Sequence, residues 1–242
     1  MGSMQTVDGV TVYRAEAQGE LRGALIVIHE IWGLVPHITG VADRYAAEGY
    51  LALAPDLLSD AGITPEIGAE LFELMYEPDE QRRAANQPRL REAFAARQAP
   101  EFAAGAIAKL TKVVDALATE PEVDGRIAVL GFCFGGSYSF TLAERDSRVK
   151  AAVPFYGSAD PDEVAGIRCP VLAFYGDQDA RLMSGLPALE AAMTAAHVDF
   201  EAKVYPDAGH AFFNDTNPTT FDPAAAGDAW SRSLEFLRAR LG

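Results

Sequence analysis

The sequence predicts an α/β fold, a mostly parallel sheet covered by helices on both faces, and three observations predict it. Continuous apolar runs of strand length recur along the chain, each suited to a strand buried on both faces. Between them lie stretches of helical periodicity, so strand and helix alternate. No internal repeat, low-complexity tract or compositional shift divides the 242 residues, and the chain reads as one domain over 1–242.

The elements follow in order. Gly2 and Ser3, ahead of Met4, look like a remnant of cloning. Val7-Asp8-Gly9-Val10 reads as an opening hairpin, since Asp-Gly between β-formers suits a tight primed turn. Ala24–Ile28 is the first buried strand; Tyr50–Ala54, Ile127–Leu130, Ala151–Phe155 and Val171–Tyr175 are its partners, with Val198–Tyr205 as a further strand. Helices are expected at Ile38–Glu48, Phe102–Ala118, Gly136–Glu144, Leu186–Ala196 and Pro223–Leu241, the last with Asp222 as N-cap and Pro223 in its first turn. Residues 64–100 break the alternation. This helix-prone stretch, interrupted by Pro78 and Pro88, is a helical insertion or cap beside the site. Its Arg82, Arg83, Arg89, Arg91 and Arg97 face Glu70, Glu73, Glu77, Glu80 and Glu92, as a solvated charged surface would.

Composition narrows the class of function. With 49% hydrophobic and 10% aromatic residues the chain is an ordinary globular protein. Twenty basic against 35 acidic side chains leave a formal charge of −15, which repels phosphate backbones and anionic membrane surfaces, so neither nucleic acid nor membrane is an expected partner. No apolar run approaches the roughly 20 residues that span a bilayer, and Met1–Val10 has neither the basic start nor the apolar stretch of a signal peptide. A cytoplasmic monomer or homodimer is the expectation. A disulfide between the two cysteines would consume Cys133, and Cys169, before Pro170 at a strand entry, reads as structural.

Gly131-Phe132-Cys133-Phe134-Gly135-Gly136 sits between an apolar strand and a helix. A cysteine flanked by glycines two positions before and after has the spacing of a nucleophile elbow, where flanking side chains would collide with backbone. By itself the pattern competes with a buried core cysteine. Two distant segments tip the balance: Gly176-Asp177-Gln178-Asp179 after one strand, and Asp207-Ala208-Gly209-His210 after another. The order nucleophile, acid, histidine is that of the α/β-hydrolase fold. His210 can take the thiol proton, the helix after Cys133 points its amides at the sulfur, and Asp179 would orient the imidazole, with Asp177 competing for that role as a turn-capping residue. The amide of Phe134 is one candidate donor for an oxyanion, and the loop His29-Glu30-Ile31-Trp32-Gly33 would give the other. His37 and His197 have no partner motif.

His29-Glu30-Ile31-Trp32-Gly33, Ala54-Pro55-Asp56-Leu57, the Cys133 elbow and Ala208-Gly209-His210 together resemble the dienelactone hydrolase (carboxymethylenebutenolidase) family over nearly the whole chain. The resemblance implies a cofactor-free and metal-free enzyme that cleaves a small-molecule ester or lactone through a thioester on Cys133, with Asp179 and His210 completing a triad. It implies that Glu30 interacts with the thiol and helps substrate binding to activate it, and that Ile31 and Phe134 supply the oxyanion amides. From the residues alone, Glu30 could equally pair with an arginine. The family arginine four residues past the histidine is here Asn214, which cannot make a charge-assisted bidentate contact with a substrate carboxylate. Arg91 of the insertion is the expected compensating contact, while Trp32, Phe212 and Phe213 are expected to make the pocket more apolar. The competing function class is a binding or regulatory protein that keeps the fold without catalysis.

Overall fold

An eight-stranded sheet runs through the computed structural model, which describes residues 1–242, the side chains of Gln98 and Pro100 excepted. The strands are β1 (Ser3–Val7), β2 (Val10–Ala15), β3 (Gly23–Ile28), β4 (Tyr50–Pro55), β5 (Ile127–Phe132), β6 (Val149–Phe155), β7 (Val171–Gly176) and β8 (Phe200–Tyr205). They lie in the order β1-β2-β4-β3-β5-β6-β7-β8. Strands β1 and β2 pair antiparallel across the Asp8-Gly9 turn, whose φ values of 45° and 78° give the left-handed backbone that a primed turn needs. Strand β2 is antiparallel to β4, and β3 to β8 run parallel. Every residue of β3, β4, β5 and β7 is buried, as continuous apolar runs require when helices cover both faces.

Helices α1 (Pro36–Ala47) and α7 (Pro223–Leu241) share one face. Tyr45 stacks on Trp230 with centroids 4.5 Å apart, the Arg44 guanidinium lies 4.3 Å over the same indole, and Glu48 pairs with Arg238 at 2.7 Å. The Asp222 carboxylate caps α7 by accepting the amides of Ala224 and Ala225. Helices α4 (Pro100–Ala118) and α5 (Phe134–Arg145) pack together against the strands and meet through Phe102 and Phe134. Helix α6 (Ala180–Ala195) starts well before the expected Leu186 because the Asp179 carboxylate caps it, and it continues through Pro187.

The insertion forms α2 (Pro65–Met75) and α3 (Glu80–Ala95), separated at Pro78. Thr64 caps α2 and Asp79 caps α3 through the amides of Ile67 and Arg82. Pro88 does not interrupt α3. It is exposed, so the carbonyl whose partner it removes remains open to water. Together with Trp32, Leu58 and Ile63, the insertion builds a small core of its own from Leu71, Leu90 and Phe94, distinct from the main core.

Candidate active site

Strand β5 ends at Phe132 and helix α5 begins at Phe134, leaving Cys133 between them at φ 55°, ψ −110°. A non-glycine residue held there costs on the order of 1–3 kcal/mol, so its surroundings must enforce it. They do so with two backbone bonds: the Cys133 amide donates to Phe155 O at 3.0 Å, and the Ser137 amide donates to Cys133 O at 3.1 Å. A Cβ on Gly131 would strike the Gly135 carbonyl, and one on Gly135 would strike that of Ile28. The Gly135 amide also donates to His29 O at 3.1 Å, tying the elbow to the loop after β3.

The two later segments converge on this elbow. His210 Nδ1 is 2.5 Å from Asp179 Oδ2, while Asp179 Oδ1 accepts the Leu182 amide. Asp177 is spent elsewhere: its carboxylate accepts the Asp207 amide at 2.9 Å and so braces the loop that carries His210. Burial works against a charged His210, but its hydrogen bond to Asp179 and the nearness of the Cys133 sulfur outweigh it, raising the imidazole to about 10. Burial likewise opposes ionisation of Asp179, and the His210 contact overcomes it to hold the carboxyl below its usual value. The arrangement favours an imidazolium between sulfur and carboxylate.

Next to them, the amides of Ile31 and Phe134 have no acceptor among the described residues. The loop of Ile31 is held by buried His29, with Nδ1 2.7 Å from the Glu30 carbonyl and Nε2 accepting the Leu57 amide at 3.1 Å. Desolvation lowers the pKa of His29 and keeps it neutral in this bridging role.

Glu30 is 1% exposed, and neutral donors take both of its oxygens: Tyr156 Oη donates to Oε1 at 3.1 Å and Asn214 Nδ2 to Oε2 at 2.8 Å. Asn214 therefore faces Glu30 and not open pocket. Trp32, Phe212 and Phe213 differ from the expectation of an apolar pocket lining. None exposes more than 5% of its surface, because Trp32 anchors the insertion against Phe72, Tyr76 and Phe94, while Phe212 and Phe213 fill the core beneath the His210 loop. Arg91 stands exposed on α3, and the insertion arginine whose charge reaches Cys133 is Arg97. Burial lowers the pKa of Arg97, its Nε has no partner among the described residues, and its guanidinium lies 4.6 Å over Phe94.

Sequence reasoning missed two tyrosines. Tyr156 follows β6 directly, a strand-end position beside the elbow that could have marked it. Tyr76 comes from the end of α2, where no motif points to it; burial and the nearby negative charges of Glu30 and Cys133 push its phenol up to about 12.

A model of the dienelactone hydrolase family matches residues 10–241, almost the whole length of the fold just described. The chain belongs to the dienelactone hydrolase family. It is 34% identical to a Saccharolobus solfataricus protein named "Putative carboxymethylenebutenolidase", over 89% of this chain and 88% of that one. An Escherichia coli K12 protein of the same name is 30% identical over 96% and 83%. The crystal structure of a "Putative Dienelactone Hydrolase" from Klebsiella pneumoniae superposes with a TM-score of 0.80 at 28% identity, covering 98% of each chain. This dienelactone hydrolase family member is thus an ester or lactone hydrolase with a small-molecule substrate. No helix among the described residues is long and apolar enough to cross a membrane, and no group of three or more His, Cys, Asp or Glu side chains among them is placed to hold a metal ion.

Proposed function

We propose that the enzyme cleaves its ester or lactone through a thioester on Cys133. The observation that carries this reading is the His210 imidazole, held through Nδ1 by Asp179 and near enough to Cys133 to feel its sulfur. An imidazolium beside the sulfur favours thiolate, the nucleophilic form. Attack forms the C–S bond and places negative charge on the carbonyl oxygen, where the amides of Ile31 and Phe134 are free to donate. Collapse breaks the C–O bond, and His210 gives its proton to the departing alkoxide. The now neutral imidazole takes a proton from water, whose oxygen attacks the thioester; the acid leaves and the thiolate–imidazolium pair is restored.

Several further groups have roles in this scheme. The Glu30 carboxylate, close enough to act electrically on the same phenols as Cys133, shapes the field in which the thiol ionises. Arg97 and Tyr76 bring polar hydrogens from the insertion towards the sulfur, and Arg97 suits an oxygen-rich acyl group, a task Arg91 is too exposed to perform. The carboxymethylenebutenolidase name of the relatives makes butenolide lactones the first natural substrates to try.

The test uses p-nitrophenyl acetate. Wild-type enzyme should give a burst of nitrophenolate matching the enzyme concentration, and iodoacetamide should abolish turnover after labelling one thiol. Cys133→Ala should lower kcat at least about 10³-fold, and Cys133→Ser should also be slow. Undiminished turnover by Cys133→Ala would refute the scheme.

A further inference from the structure

Tyr156 occupies the position past β6 that Cys133 occupies past β5, because Phe155 and Phe132 are partners in the ladder. Its backbone is also left-handed, at φ 39°, and is pinned by its amide donating to Phe174 O at 2.7 Å. Two strained non-glycine residues therefore stand side by side at the end of the sheet, and one of them is the nucleophile. The strain at Tyr156 serves direction. It aims a fully buried phenol at Glu30 Oε1, 3.1 Å away, and lays the ring against the His210 imidazole with centroids 5.1 Å apart.

Glu30 needs that contact. Its carboxylate is buried without a cationic partner among the described residues, and a buried charge is tolerated only when donors satisfy it. Asn214 provides one donor and Tyr156 the other. Burial, together with the negative charges of Glu30 and Cys133, holds the phenol protonated, so Tyr156 remains a donor throughout the working pH range.

We infer that Tyr156 is a positioning residue for acyl transfer, its hydroxyl fixing the Glu30 carboxylate and its ring fixing the His210 imidazole about Cys133. The inference rests on the thioester reading above. Tyr156→Phe keeps the ring and removes the hydroxyl. Its kcat on p-nitrophenyl acetate should fall about tenfold with KM within about twofold of wild type. In a Glu30→Gln background the same change should cost less than about twofold more, since the hydroxyl acts through the carboxylate. Para-aminophenylalanine at 156, which restores a donor of similar reach, should recover most of the rate, and it serves as a second variant should phenylalanine impair folding.

A Tyr156→Phe enzyme as fast as wild type, a full tenfold loss in the Glu30→Gln background, or no recovery with para-aminophenylalanine would each overturn the inference. The two readings fail separately. Nitrophenolate release that does not depend on Cys133 sinks the thioester scheme; Cys133-dependent release without the Tyr156 pattern sinks this inference alone.

Discussion

Cys133 and Tyr156 reach the site from the ends of neighbouring strands, each in a left-handed conformation that backbone hydrogen bonds enforce. Tyr76 and Arg97 approach the same sulfur from the insertion, which rests on a six-residue core separate from the main one. The sheet end is thus held by main chain and tolerates no added atom, whereas the insertion is held by side-chain packing. The difference separates two tasks. On the proposed mechanism, bond making uses geometry fixed by the ladder, and substrate choice falls to a lightly anchored piece that can change without disturbing it.

The comparison can be broken most directly at Gly135. Gly135→Ala puts a methyl into the Ile28 carbonyl, and we expect a loss of more than about 3 kcal/mol in urea unfolding, or no folded protein. A loss below about 1 kcal/mol would mean that the sheet end yields as easily as the insertion. On the other side, Leu71 is fully buried in the small core. Leu71→Ala should destabilise the insertion by about 2–4 kcal/mol, detected as faster amide exchange and proteolysis within residues 64–97. KM should rise while alkylation of Cys133 by iodoacetamide stays near the wild-type rate. Equal loosening of the elbow would erase the distinction.

The smallest expected effect concerns protons. His210 is raised in the folded state, so its contribution to stability is fully present below the unfolded value near 6.5 and is lost as pH rises through about 10. Asp179 is depressed, so its contribution is present above the unfolded value near 3.8 and is lost as pH falls through its lower folded value. The difference in unfolding free energy between wild type and His210→Gln should therefore be greatest around pH 4–6.5 and shrink towards pH 10. A difference that grows with pH would reverse the assigned sign.

The contrast between sheet and insertion also governs what could be read from the sequence. Apolar runs located β3 to β7 because a strand buried on both faces has no polar positions to confuse the pattern, and Pro223 with Asp222 marked the start of α7. Cys133, Asp179 and His210 stand out as candidates because each follows a strand at a turn with glycine nearby. Arg97 was not separable from Arg91: five arginines share the insertion, and the short 3-10 turn at Ala96–Gln98 that redirects the chain leaves no periodic signature. Phe212 is not separable from a pocket residue in sequence, because an aromatic beside a candidate histidine looks the same whether it faces substrate or core. Tyr156 carries no motif of its own, and its significance comes from a ladder pairing with a strand distant in sequence.

Asp179 holds the proton-bearing ring with one oxygen and the first turn of α6 with the other. That single carboxylate makes α6 more than a covering layer: if its first turn frays, the aspartate is left free to rotate and the imidazole loses its brace. The start of α6 therefore reaches the His210 ring through one side chain, although no residue of that helix is hydrogen-bonded to the ring itself.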